Sequence, residues 1–338
     1  MAGRAVCIRA GRMKCGYWAI LGLLALMAVS VFIGTRPMPV ADTWQALTDF
    51  DPSQSDHLLV WQLRVPRVLL GAVVGAAMGL AAVLMQALTR NPLADPGILG
   101  INAGAALAVV AVLAFGITGM GAHVAAALAG AALAGAAVSA LGRLTGRDDP
   151  TPLVLAGAAL SVVLVGIAQS VILNTDQAVL DRFRFWAVGS LQGRGADLAS
   201  LLALVTTAAG LAAMLMAPTL DALSLGKDAG RALGADGRFG WLALAGLIVA
   251  LAGTTTAVTG PIGFAGLVAA HIARGLTGPV HRRLLPQAMI VGAALVVGAD
   301  MLGRIIARPG EVEAGIMCAL IGAPFFLWLV RSRKVARL

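Results

Sequence analysis

The chain has 338 residues, of which 59% are hydrophobic and 12% charged, with a mean hydropathy of +0.90. Soluble domains carry about 25% charged residues, so a soluble enzyme, a disordered tail and a disulfide-stapled secreted domain are all excluded. The net charge of +9 sits in short Arg/Lys clusters between apolar runs, with a single Tyr in the chain, a pattern that suits anionic lipid headgroups and not nucleic acid.

Residues 1–16, with Arg4, Arg9, Arg12 and Lys14, read as a basic cytoplasmic arm ahead of a first apolar run at 17–35. No small-x-small cleavage site follows that run, so it is expected to remain as a first helix. A spanning helix needs about 20 apolar residues. Stretches 68–87, 153–173 and 198–220 lack Asp, Glu, Lys and Arg, and each is a span by itself. Residues Pro96–Gly142 are also free of those charges but too long for one crossing. The break at Gly116–Gly121 divides them into spans near 98–115 and 120–141. Gly260-Pro261-Ile262-Gly263 likewise separates a helix near 240–259 from a short one near 262–276. Runs at 284–303 and 312–330 complete an all-α integral membrane protein with about ten transmembrane helices, residues 17–338 forming one transmembrane domain.

With the N-terminus inside, alternation puts 17 of the 25 basic residues on the inner side and 8 on the outer. That bias favours both termini in the cytoplasm. Asn91-Pro-Leu-Ala-Asp-Pro-Gly97 and Thr259-Gly-Pro-Ile-Gly263 each precede a short Gly-rich helix, five helices apart on opposite faces. An inverted five-helix repeat would produce this pairing, and two unrelated Pro/Gly turns account for it equally well.

Chemistry-bearing residues are sparse. All 16 carboxylates fall in loops or near helix ends. The deepest, Asp300, has Arg304 one turn away as an ion-pair partner, which leaves no buried acid to carry a proton. His271 on the short eighth helix reads as a packing residue before a proton carrier. No phosphate-cradling G-x-x-x-x-G-K-[ST] loop, metal cluster or nucleophile–base set is present, so no catalytic residue, metal site or cofactor is expected and energy must come from another subunit. Cys7, Cys15 and Cys318 lack the spacing of a metal or redox pair. The longest inner connection, 218–239, carries Leu223, Leu225, Ala229, Ala232 and Leu233 at helical spacing between Gly226 and Gly234. It reads either as a helical knob for a partner's groove or as a helix lying flat on lipid.

Several runs together resemble one family, the membrane-spanning permeases of ABC importers for ferric siderophores, haem and cobalamin. They are Arg64-Val-Pro-Arg67, Gln86-Ala-Leu-Thr-Arg-Asn-Pro-Leu-Ala-Asp-Pro-Gly-Ile-Leu-Gly100, Gly260-Pro-Ile-Gly-Phe-Ala-Gly-Leu-Val268 with His271 and Arg274, Ala299-Asp-Met-Leu-Gly-Arg304 and Ile321-Gly-Ala-Pro-Phe325. They run in order from about residue 60 to the C-terminus. Phe183-Arg-Phe-Trp-Ala-Val-Gly-Ser-Leu191 and Leu223-Ser-Leu-Gly226 are most similar to the siderophore branch, in particular to permeases for catecholates such as enterobactin. Where the family commonly has Pro before the eighth-helix His, this chain has Ala270.

The resemblance implies a bacterial inner-membrane permease paired with a second permease copy or paralogue. Two cytoplasmic ATPase subunits and an extracytoplasmic binding protein that delivers ferric siderophore would complete the importer. Arg64, Arg67 and Arg304 would be exposed arginines that dock the binding protein. Leu223, Leu225, Gly226, Ala232, Leu233 and Gly234 would couple to the ATPase. Gln86, Asn91, Pro92, Asn102, Trp186, Pro261 and His271 would line or gate the path, with 174–196 as a flexible outer gate region. Haem or cobalamin as cargo, and an ion-coupled secondary carrier, are the alternatives.

Overall fold

A computed structural model describes residues 2–144, 151–224 and 238–331. Among the described residues the fold is helical throughout. Helix α1 spans Ala2–Phe32, without a break between the basic arm and the first apolar run. The short helices α2 (Val40–Thr48) and α3 (Ser55–Leu59) follow, and α3 passes through one π-helical turn (Val60–Arg64) into α4 (Val65–Thr89). A 3₁₀ turn at Pro96–Leu99 leads into α5 (Ile101–Ala114), followed by α6 (Met120–Leu144) and α7 (Thr151–Leu173). The chain continues with α8 (Gln177–Ala187), α9 (Ala196–Leu215), α10 (Ala217–Ser224) and α11 (Arg238–Thr259). It closes with α12 (Ala265–Thr277), α13 (His281–Ile306) and α14 (Ala314–Arg331).

Seven helical segments are long and apolar enough to cross a membrane, and Gly16–Phe32 and Ile101–Ala114 are shorter apolar helices. One expectation is corrected. The run 198–220 is two helices, parted at Met216, because Pro218 restricts the residue before it and lacks an N–H to join α9's ladder. Within the segment 174–196, residues Gln177–Ala187 form the helix α8.

Helix α4 is the centre of the bundle, with α11, α12 and α13 against it. Its core face runs almost unbroken from Ala77 to Ala87. Small residues set the spacing, as expected where lipid gives no hydrophobic drive and dispersion contacts must do the work. At the α4–α13 crossing Gly75 and Gly292 face each other, and a Cβ on either would collide with the other's carbonyl oxygen. One turn on, Gly79 meets the Ala288 carbonyl in the same way.

Candidate functional site

Three groups of polar or conformationally special residues stand out, two at the end of the bundle where α1 terminates and one at the opposite end. The first is a buried ionic network. Arg67 donates from Nη2 to Asp300 Oδ1 at 2.7 Å and from Nη1 to Glu311 Oε2 at 2.8 Å. Arg304 reaches the other Asp300 oxygen at 3.1 Å. It also donates to Ser30 Oγ at 2.6 Å and to the Ile33 carbonyl. Arg64 donates to the carbonyls of Val31, Phe32 and Arg36. The last carbonyls of α1 have no intrahelical partner and carry the negative end of its dipole, so two guanidiniums there satisfy both hydrogen bonding and charge. Two arginines and two carboxylates balance around Asp300, and Arg64 answers the helix end.

This corrects the expected exposure of the docking arginines. Arg64 and Arg304 are 4% and 2% exposed, and Arg67's side chain is 12% exposed. Sequence reasoning found the Asp300–Arg304 pair but missed Arg67 as its third member and Glu311 as its fourth.

The second group is a backbone junction. Ser190 N–H donates to the Thr259 carbonyl at 2.7 Å, and Gly315 N–H donates to the Gly189 carbonyl at 2.8 Å. Gly189 and Gly260 have φ of 73° and 79°. A Cβ on Gly260 would strike the Trp186 carbonyl, and one on Gly189 the Pro261 carbonyl. Positive φ and close backbone approach both call for glycine at these two positions. Trp186, buried and stacked on Phe183 with centroids 6.0 Å apart, closes α8 onto this junction. The structure therefore brings Trp186 and Pro261 together.

The third group lies at the other end. Arg90 turns the chain with φ 49°, Asn91 Oδ1 accepts from Leu93 N–H, and Asp95 Oδ1 accepts from Gly97 N–H at 2.8 Å. Burial raises the Asp95 carboxyl above its usual range, partly opposed by the Gly97 N–H. Deeper in the bundle, Asn102 accepts from Thr256 Oγ1 at 2.8 Å, joining α5 to α11 within one helical turn of the Gly260 junction. Gln86 is fully buried, and both its amide atoms lack partners. His271 bonds the Leu267 carbonyl through Nδ1, as a packing histidine would. Asp221, in α10, accepts from His281 N–H at 2.8 Å and from its ring at 2.7 Å.

Of the expected path residues, Trp186 and Pro261 meet at the Gly260 junction, Asn102 lies one helical turn from it through Thr256, and Gln86, Asn91 and Pro92 lie toward the other end of α4. A groove of about 590 Å³ runs along α7 from Val163 to Thr175, with Ser170 and Asn174 on its wall. None of the expected path residues lines it. Of the expected coupling residues, Leu223 lies in the last turn of α10, and Leu225, Gly226, Ala232, Leu233 and Gly234 lie outside the described residues. No group of three or more His, Cys, Asp or Glu able to hold a metal occurs among the described residues.

Residues 22–332 match the FecCD transport family, and the chain belongs to that family. It is a multi-pass permease of the ABC-importer class, residing in the bacterial inner membrane. It is 41% identical over 324 residues to the ferric enterobactin transport system permease FepD of Escherichia coli K12, covering 93% of this chain and 95% of that one. The hemin transport system permease HmuU of Yersinia pestis is 38% identical, with 94% and 97% covered. The cobalamin import system permease BtuC of Halobacterium salinarum is 33% identical, with 95% and 89% covered. An inward-facing metal-chelate type ABC transporter superposes with a TM-score of 0.83 at 27% identity, covering 94% of this chain and 99% of that one.

Proposed function

We propose that this permease carries a ferric siderophore of the catecholate type. The observation that carries the reading is the 41% identity to a ferric enterobactin permease over nearly the whole chain, against 38% for the hemin permease and 33% for the cobalamin permease. The chain crosses the membrane ten times in this reading: seven long helices, the apolar segments Gly16–Phe32 and Ile101–Ala114, and the short α12. Two inverted five-helix repeats result, with both termini cytoplasmic. The Arg67 end then faces outward and the His281 end inward.

A second permease subunit, identical or paralogous, closes a central path against the α7 groove, since α7 is the span least covered by the rest of its own chain. A binding protein delivers cargo at the outer end, where Arg64, Arg67 and Arg304 organise the receiving surface. Of these, Arg67 is the least buried. Trp186 and Pro261 gate the outer side, Asn102 acts between the two sides, and Gln86, Asn91, Pro92 and His271 act nearer the inner side. Segment 218–239 seats in the ATPase subunits, whose closure switches access across the membrane. The ion-coupled alternative is disfavoured by Asp300, which is buried but already paired with two arginines.

Vesicles holding the permease with its ATPase subunits, supplied with loaded binding protein and ATP, test the cargo. Uptake of a ferric catecholate is expected, undiminished by excess haem or cobalamin. Uptake of haem or cobalamin without uptake of the ferric catecholate would reject it. The same vesicles test docking: Arg67→Lys keeps the charge but loses the forked geometry, and an unchanged affinity for the binding protein would remove Arg67 from that role.

A further inference from the structure

Helix α13 is tied at both ends to parts of the chain remote in sequence. At its first residue, Asp221 Oδ1 accepts both the His281 backbone N–H (2.8 Å) and the His281 ring Nδ1 (2.7 Å). The residue before α13, Val280, offers no side-chain cap. The first N–H groups of a helix have no partner within it, and a carboxylate there meets the positive end of the dipole. Asp221 is therefore the cap of α13, supplied by α10 from 60 positions away. The His281 side chain is 2% exposed and that of Asp221 38%, so the contact sits at the rim of the bundle, with the imidazole inside and the carboxylate reaching it from the surface.

The other end of α13 carries Asp300 and Arg304, which hold Arg67 of α4 and Ser30 of α1, and Arg67 in turn holds Glu311 on the approach to α14. At 1.5 Å per residue, Asp300 lies about 28 Å along the axis from His281, close to the thickness of a bilayer core. Between the two ties, the Gly75–Gly292 and Gly79–Ala288 contacts bring the α4 and α13 backbones together, leaving no compressible side-chain layer. Leu284, Leu285 and Ala288 are buried around Pro286, which holds the first turns of α13 in the bundle despite the missing N–H.

We propose that the Asp221–His281 contact is the joint that passes movement of the 218–239 connection into α13, and through α13 to the Asp300 network at the far end. Asp221 and His281 are thus positioning residues for transport. The inference rests on the reading that this connection seats in the ATPase. A displacement of α10 would act on the first turn of α13 through this cap, whereas a helix capped by its own neighbour has no such link.

The test uses the assembled importer in vesicles. Asp221→Ala removes the acceptor, and Asp221→Asn keeps an Oδ1 that can accept the same two donors. Asp221→Ala is expected to lower both transport and the stimulation of ATP hydrolysis by loaded binding protein at least fivefold, with the ATPase still co-purifying. Asp221→Asn is expected to keep at least half of wild-type stimulation, a rescue that bulk loss of folding would not give. Wild-type stimulation in Asp221→Ala overturns the proposal. Loss of ATPase co-purification in that variant overturns it too, because Asp221 would then belong to the seat itself. Leu233→Asp separates the premise from the inference: if it leaves stimulation intact, the 218–239 seat is wrong whatever Asp221 does.

Discussion

Replacing Gly292 with valine is expected to eliminate monodisperse permease on fluorescence-detected size exclusion, and Gly292→Ala to lower the melting temperature clearly. A Cβ at this position collides with the Gly75 carbonyl oxygen, a backbone atom at the α4–α13 crossing that cannot rotate away. Overpacking a core costs about 1–3 kcal/mol where side chains can adjust. Here two backbones must separate, and with them every contact between the central helix α4 and α13, so the cost lies at or above the top of that range. Gly246 in α11 is the control, since nothing lies within 4 Å of a Cβ built there. Gly246→Ala should be neutral or slightly stabilising, given alanine's higher helix propensity. Equal tolerance of alanine and valine at Gly292 would mean that the two helices are not in backbone contact.

The second large effect is expected at Asp300. Its side chain is 3% exposed and accepts from both Arg67 and Arg304. Removing one partner of a buried ion pair leaves an uncompensated charge and costs about 3–5 kcal/mol. Asp300→Ala orphans two guanidiniums at once, one still answered by Glu311 and the other by α1 carbonyls and Ser30. The variant should therefore be among the least stable single substitutions in the chain, with α1 loosened from α13 where the two meet. Glu311→Gln keeps a hydrogen-bond acceptor for Arg67 and should cost distinctly less. Thermal unfolding in detergent, with limited proteolysis of the 33–39 connection as a local readout, ranks the two. A milder effect for Asp300→Ala than for Glu311→Gln would contradict the network as described.

The spans were legible because apolar runs bounded by Gly, Pro and charge are the strongest signal a membrane chain carries. The expected helix at 98–115 is α5, Ile101–Ala114, and that at 262–276 is α12, Ala265–Thr277. The break inside 198–220 could have been read from Pro218, but uniform hydrophobicity on both sides concealed it. Helices α2, α3 and α8 were missed because they are too short for a span and carry charge, so periodicity over a crossing-length window passes over them.

The arginines show a different limit. Sequence displays charge and local spacing, so Asp300–Arg304 at i,i+4 was visible, whereas Arg67–Asp300 joins positions 233 apart and depends on how α4 crosses α13. Three arginines on a face expected to be poor in them read as a surface set, and the structure gives each of them acceptors within the chain instead. The same holds for Asp221, which looked like a loop carboxylate and is the cap of a distant helix.

That this chain is a conduit powered from outside itself is tested most directly by comparing two vesicle preparations. One contains the permease alone under an imposed proton or sodium gradient; the other contains the permease with its ATPase subunits, ATP and loaded binding protein. Cargo should accumulate only in the second and stop when ATP is withdrawn. Accumulation by the isolated chain on a gradient would contradict the account.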